Sequence, residues 1–119
     1  MGKPQLLIVD DEEGIRTALK RWFTLRGFDV EQAADGKEAL ELCRDHQYDI
    51  ITMDLEMPRM GGLAAILAIR EFQPEVPIVV LTGYVQDSAA AVRQGAAKVL
   101  TKPVRLRELE TEVRELLVN

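Results

Sequence analysis

Two kinds of pattern alternate along this chain, and the alternation restricts its fold more than any other feature. Short β-branched, apolar runs predict five strands, and three of them (LLIV, IITM and IVVL) are almost continuously apolar. Runs of that kind are typical of strands covered on both faces of a parallel sheet. The predicted strands are Leu6–Val9, Phe28–Gln32, Asp49–Met53, Ile78–Leu81 and Lys98–Leu100.

Helical periodicity fills the segments between these strands. The first helical pattern ends at Gly27, the second begins near Gly36, and the third ends before Pro74. The fourth lies in DSAAAVRQG and ends at Gly95. The apolar face positions are Ile15, Ala18, Leu19, Trp22 and Phe23 in the first helix, Ala39, Leu40 and Cys43 in the second, Ile66, Leu67 and Ile69 in the third, and Leu106, Leu109, Val113 and Leu116 in the last.

Five β-α units with short connections predict one α/β domain over residues 1–119. Right-handed crossovers place helices on both faces of the sheet, which gives a three-layer sandwich. Two strand orders are plausible at this length, and the flavodoxin-like order 2-1-3-4-5 suits five strands best. In such a sheet the site lies beyond the carboxyl ends of the strands, between the first and the third.

Composition excludes several classes of function. The chain is 47% hydrophobic and 29% charged, as globular domains are. Its net charge of −5, with no window rich in Lys or Arg, disfavours direct nucleic-acid binding. The apolar runs are too short to cross a membrane, and the N-terminus has no signal-peptide pattern. A single cysteine, Cys43, cannot form an internal disulfide, and we interpret it as a buried helix residue. Taken together, these features favour a cytoplasmic domain.

Chemistry-bearing residues follow four of the predicted strands. Asp10 and Asp11 come directly after the first strand, and Asp54 comes directly after the third. Thr82 comes directly after the fourth strand, and Lys102 lies two residues beyond the fifth. The topology therefore predicts that three carboxylates, a hydroxyl and an ammonium converge on one rim of the sheet. The acids continue into Glu12–Glu13, which we expect in the first turn of a helix, where the helix dipole favours negative charge.

These residue types suit phosphoryl chemistry. Mg²⁺ takes one or two carboxylates plus phosphate oxygens, so Asp11 and Asp54 are candidate ligands and Asp10 could hold a metal-bound water. A carboxylate beside the metal can attack phosphorus and become an aspartyl phosphate. Lys102 offers a compact positive charge and Thr82 a hydroxyl donor to the phosphoryl oxygens. Gly83 is expected to leave room for that approach.

The motifs VDDE, MDLEMPRMGG, LTG and TKP, in this order and spacing, resemble the receiver domain of bacterial two-component response regulators. The resemblance covers essentially the whole chain. It implies that Asp54 is the phosphoacceptor, charged by a sensor histidine kinase, a phosphotransfer protein or a small donor such as acetyl phosphate. It also implies that Thr82 and Lys102 bind the phosphoryl group. Mg²⁺, or Mn²⁺ in its place, would be held by Asp10, Asp11, Asp54 and the backbone carbonyl of Glu56.

The resemblance carries further expectations. The Lys102–Pro103 bond would be cis, and Pro58 and Gly62 would shape the loop after the acceptor. The chain would be a signalling switch that turns over no external substrate. Its output surface would be the fourth helix, fifth strand and fifth helix, available to a partner or a homodimer. We expect either a stand-alone receiver or, with a slight preference, a piece of a longer regulator.

Two residues, Val99 and Val104, depart from the family pattern, and for Val104, where many relatives have phenylalanine, we expect only altered packing. Many relatives carry, at the position of Val99, an aromatic residue that swings inward when the threonine moves. The resemblance therefore does not imply this aromatic half of the switch for the present chain. Tyr84 could replace it, although shielding of the site is the favoured interpretation. Two other function classes stay open. One is a magnesium-dependent phosphohydrolase with an aspartyl nucleophile, which the lack of a lid-sized insertion disfavours. The other is an interaction module whose switch is silent.

Overall fold

The structure, a computed structural model, describes residues 2–57 and 60–118. Their strands form one parallel sheet in the order β2-β1-β3-β4-β5. The predicted flavodoxin-like α/β fold and its strand order are therefore confirmed. The strands are β1 (Gln5–Val9), β2 (Asp29–Ala33), β3 (Ile50–Asp54), β4 (Ile78–Thr82) and β5 (Lys98–Thr101).

A helix follows each strand, and two glycines mark helix ends as predicted. Gly27 and Gly95 have positive φ angles of 94° and 114°, which side-chain-bearing residues rarely adopt. A short 3₁₀ turn, Val85–Asp87, precedes the fourth helix. The helices are α1 (Glu13–Leu25), α2 (Gly36–Asp45), α3 (Gly62–Phe72), α4 (Ser88–Gln94) and α5 (Leu106–Leu117). No helix among the described residues has both the length and the apolar character to cross a membrane.

The core consists of two apolar layers on opposite faces of the sheet. Successive residues of β1 alternate between the layers, because side chains along a strand point to opposite faces. Leu6 and Ile8 pack with residues of α1 and α5, whereas Leu7 and Val9 pack with residues of α2, α3 and α4. Cys43 is buried in the second layer, as predicted. Burial on both faces explains why the strand sequences are continuously apolar.

Parts of the predicted helix faces are not buried. Ile15 is 37% exposed and Leu67 is 57% exposed, while Leu19 and Phe23 are buried. The N-terminal half of α1 lies along an open groove of about 610 Å³, which the segment around Pro103 also lines. Hydrophobic periodicity predicts which side of a helix is apolar. It does not predict how much of that side is covered by the elements that pack against the helix.

Two loop expectations need comment. Glu12 does not lie in the first turn of a helix: it precedes α1, and its backbone N–H donates to Asp10 Oδ1, so only Glu13 occupies that turn. Pro58 lies outside the described residues. Gly62, the other expected loop residue, begins α3, and a Cβ there would lie 2.7 Å from Leu55 Cα. Glycine is therefore required at this position for α3 to approach the end of β3.

Candidate functional site

Strand register brings the predicted site residues to one rim. Val9 of β1 pairs with Met53 of β3, so Asp10 and Asp54 follow neighbouring positions. Asp54 itself pairs with Leu81 of β4, one residue before Thr82. Thr82 in turn pairs with Thr101 of β5, one residue before Lys102. The carboxyl ends of four parallel strands thus present their side chains at the same level of the sheet.

Three carboxylates form an acidic cluster at this rim. Asp10, Asp11 and Asp54 each offer an oxygen, and these oxygens lie within 4.8 Å of one another. Asp10 and Asp54 are each only 2% exposed, whereas Asp11 is exposed. Burial raises the pKa of Asp10 to about 6 and also raises the pKa of Asp54. Close oxygens whose ionised forms repel one another fit a hard divalent cation, which would offset that repulsion.

The cation of this site is Lys102. Its Nζ donates to Asp54 Oδ1 at 2.7 Å, and the backbone N–H of Glu56 donates to the same oxygen at 3.0 Å. Burial by itself lowers the pKa of Lys102, but the hydrogen bond and charge of Asp54, together with Glu56, raise it overall. The ammonium is therefore charged and aimed at the carboxylate of Asp54. The Lys102–Pro103 bond is cis, as the resemblance implies.

The resemblance implies a metal-binding role for the backbone carbonyl of Glu56, and the structure shows that the Glu56 side chain belongs to the site as well. Glu56 Oε2 accepts from the Thr82 hydroxyl and Oε1 accepts from the Gly83 N–H, both at 2.7 Å. Lys102 Nζ lies 3.4 Å from Glu56 Oε1. Burial raises the pKa of Glu56, yet these donors outweigh it and lower the pKa below its ordinary value. The only sequence signal was an acid two residues beyond Asp54.

The residues around Thr82 have different environments. Thr82 is completely buried and its Oγ1 also accepts from the Tyr84 N–H at 3.1 Å. The Tyr84 side chain is 54% exposed, and Val99 is half-buried against the core layer of α2, α3 and α4. A Cβ at Gly83 would meet Glu56 Oε1 at 3.5 Å, an ordinary contact, so the space expected from Gly83 is not a steric requirement.

The sequence and fold match one family throughout. The family model for the response regulator receiver domain matches residues 6–114. The transcriptional regulatory protein PrrA of Mycobacterium tuberculosis is 37% identical over 116 residues, which cover 96% of this chain and 50% of that protein. The chain spans about half the length of the mycobacterial relatives it matches.

Solved structures agree with this match. The chemotaxis protein CheY4 of Vibrio cholerae has a TM-score of 0.91 at 30% identity, covering 98% of this chain and all of that one. The response regulator TrrA of Thermotoga maritima, solved in complex with Mg²⁺-BeF, has a TM-score of 0.87 at 32% identity. That alignment covers 96% of this chain and 99% of TrrA.

Proposed function

This chain belongs to the response regulator receiver domains of two-component signalling systems, and we propose that it acts by accepting a phosphoryl group on Asp54. The observation that carries the proposal is the environment of that carboxylate. Asp54 is buried, contacts Lys102 at 2.7 Å, and shares an acidic cluster with Asp10 and Asp11. A buried acid with a raised pKa and a lysine partner is typical of a functional site.

Receiver domains bind Mg²⁺ at an acidic pocket, and the three carboxylates described above fit such an ion. We propose that Asp10, Asp11, Asp54 and the backbone carbonyl of Glu56 hold it. When bound, it would neutralise charge on the carboxylates and on the phosphoryl oxygens. We expect Mn²⁺ to substitute, since carboxylate and carbonyl oxygens suit it as well.

In the proposed transfer, a carboxylate oxygen of Asp54 attacks phosphorus. The new bond joins that oxygen to phosphorus, and the P–N bond of a phosphohistidine, or the P–O bond of acetyl phosphate, breaks. The electron pair of that bond stays on the leaving nitrogen or oxygen. Lys102 stabilises charge on the phosphoryl oxygens, and the Thr82 hydroxyl donates to them. The partner would be a sensor histidine kinase or a phosphotransfer protein.

The proposed output surface consists of α4, β5 and α5. It carries charges of both signs, including an ion pair of 3.4 Å between Lys98 and Glu112. Val92, 58% exposed, adds an apolar contact point. Such a surface is compatible with a homodimer or with another partner, and its mixed charge does not favour nucleic acid. Its further charged residues are Arg93, Arg105, Arg107 and Glu108.

We further propose that residues 1–119 act as one receiver unit and as a switch without external substrate turnover. The continuous five-stranded sheet and the two core layers support a single unit. Receiver domains are signalling switches. Phosphorylation of Asp54 would therefore alter the proposed output surface of the protein and would not convert a metabolite.

The proposal is tested with acetyl phosphate. The experiment compares wild type with Asp54→Asn and with a matched control, Asp45→Asn at the exposed end of α2. Each protein is incubated with Mg²⁺ and acetyl phosphate, and its intact mass is measured by mass spectrometry. Wild type and the control should each gain one phosphoryl mass, which disappears in alkali because acyl phosphates hydrolyse there, and Asp54→Asn should gain none. A wild type that stays unmodified, or an Asp54→Asn variant that is modified equally, would contradict the assignment.

A further inference from the structure

The carboxylate of Glu56 contacts Thr82 and Lys102, which the proposed function assigns to a phosphoryl group, and also the neighbouring Gly83 N–H. Thr82 Oγ1 and the Gly83 N–H each donate to it at 2.7 Å, and Lys102 Nζ lies 3.4 Å away. Thr82 is fully buried, and Glu56 retains a side-chain exposure of 30%. An ionised carboxylate and a phosphoryl group are both anionic oxygen acceptors, so they compete for the same donors.

The donors cannot serve both acceptors at once. A threonine hydroxyl carries one proton, and that of Thr82 is directed to Glu56 Oε2; its only other acceptor among the described residues, the Tyr84 carbonyl, is 3.4 Å away. The Gly83 N–H also has a single proton, already donated to Glu56 Oε1. A phosphoryl group on Asp54 can therefore use these two donors only after Glu56 has released them.

We propose that the Glu56 side chain is an internal stand-in for the phosphoryl group, which occupies the Thr82 and Gly83 donors in the unphosphorylated protein and must be displaced when Asp54 is modified. This inference rests on the proposed function of Asp54. The Glu56 side chain has a positioning role here, because its carboxylate fixes Thr82 and Gly83, whereas the contact with Asp54 is made by the Glu56 backbone N–H. Its partial exposure gives the released carboxylate a route to solvent.

If Glu56 is such a stand-in, wild type should bind a phosphoryl mimic more weakly than a variant in which Glu56 does not occupy the Thr82 and Gly83 donors. Breaking charge-assisted hydrogen bonds opposes binding, and the expected effect of removing them is roughly tenfold in affinity. Simple charge repulsion between Glu56 and the mimic predicts a weakening too. Glu56→Asp separates the two explanations, because it keeps the charge but is shorter by one methylene and cannot span the 2.7 Å contacts from an unchanged backbone.

The experiment titrates Mg²⁺ and beryllofluoride into wild type, Glu56→Asp, Glu56→Gln and a distant control, Glu41→Asp on the exposed face of α2. Affinity is measured by calorimetry, and the Gly83 amide is followed by NMR in the ligand-free proteins. In Glu56→Asp we expect a shifted Gly83 amide resonance and roughly tenfold tighter binding than in wild type. Glu56→Gln should bind beryllofluoride at least as tightly as Glu56→Asp does. Glu41→Asp should have the wild-type affinity and the wild-type Gly83 resonance.

Each other result has a defined meaning. Wild-type affinity in Glu56→Asp with tighter binding in Glu56→Gln would assign the effect to charge and overturn the stand-in. A Gly83 amide unchanged in both Glu56 variants would overturn it as well. If none of the four proteins binds beryllofluoride, both the proposed function and the stand-in are overturned. If all four bind it with equal affinity, only the stand-in is overturned.

Discussion

Lys102 reaches Asp54 across an intervening strand. The Nζ–Oδ1 distance is 2.7 Å, although Lys102 follows β5 and Asp54 ends β3, and β4 lies between them in the sheet. The lysine side chain therefore passes over the end of β4, where Thr82 lies. Lys102 therefore connects the end of β5 to the carboxylate at the end of β3.

Replacing Lys102 with methionine should nearly abolish phosphorylation. Methionine keeps much of the apolar stem but removes the charge that contacts Asp54, and loss of one positioned electrostatic donor typically costs about 10²- to 10³-fold in rate. The measurement is the initial rate of phosphoryl gain from acetyl phosphate by mass spectrometry. Lys98→Met, at the start of the strand that Lys102 follows, removes a lysine that pairs with Glu112; it is the matched control and should retain the wild-type rate. Equal rates in both variants would remove Lys102 from the proposed chemistry.

The buried acid Asp10 should destabilise the metal-free protein near neutral pH. Its folded-state pKa of about 6 lies above the ordinary value of 3.8, so its contribution to stability is fully present below pH 3.8 and is lost as the pH rises through about 6. Asp10→Asn removes the charge but keeps an oxygen for the Glu12 N–H. In EDTA at pH 7.5 the variant should be more stable than wild type by up to about 3 kcal/mol, and the two should converge at pH 4.

Chemical denaturation at the two pH values measures this difference, and added Mg²⁺ supplies its control. The metal should raise the free energy of unfolding of wild type, by about 2.7 kcal/mol at a hundred times its dissociation constant, because it binds only the folded state. Asp10→Asn should gain much less, since one acid of the cluster is gone. An Asp10→Asn variant less stable than wild type at pH 7.5 in EDTA would mean that the acid cluster is not strained.

Arg70 should hold the end of α4 in place. Its guanidinium donates to the carbonyls of Gln73 and Val76 beyond α3, and at 2.6 Å to the carbonyl of Gly95, the residue that ends α4. Arg70→Met leaves these carbonyls without their charged donor and should cost about 2 kcal/mol of stability. Hydrogen exchange should accelerate in the segment 95–97. Arg93→Met, on the exposed face of α4, should change neither quantity; equal effects in both variants would refute the role of Arg70.

The strand ends were predictable because two simple rules act there together. Apolar runs end where the sheet ends, and parallel strands present all their carboxyl ends on one edge. The predicted runs are within one residue of the observed bounds, and the largest consequence is that Asp54 belongs to β3 instead of following it. Its backbone pairs with Leu81 of β4, an interaction that hydropathy does not report.

The contacts that sequence reasoning missed depend on loops and on side-chain direction. Glu56 lies two residues beyond β3, and its contact with Gly83 spans 27 positions of the chain. Arg70 likewise reaches a carbonyl 25 positions away. Neither residue stands out by hydrophobic periodicity, because that pattern places apolar side chains and does not report the partners of charged ones. Such contacts follow from how two loops approach each other, which only the folded structure supplies.

A cluster around Glu110 should fasten α5 to α1. Glu110 accepts from Trp22 Nε1 at 2.9 Å and from Arg114 Nε at 2.8 Å, and it pairs with Arg26 Nε at 2.6 Å. Burial raises the pKa of Glu110, but these three donors outweigh it and lower the pKa overall. A lowered pKa means that the contribution to stability is present above the unfolded-state pKa and is lost as the pH falls through the lower, folded-state value.

Glu110→Gln should therefore lower the free energy of unfolding by about 1 kcal/mol at pH 7, because a neutral amide offers one oxygen to three donors and attracts neither arginine strongly. The deficit should shrink as the pH is lowered from 4.5 towards 3, where wild type loses the same charge. Denaturant titrations across this range measure it. Glu108→Gln, at an exposed site in the first turn of α5, should show a smaller deficit at pH 7, about 0.3 kcal/mol, because it loses only a solvent-exposed interaction with the helix dipole. A deficit in Glu110→Gln that is constant with pH would show that the side chain acts by packing and not by its charge.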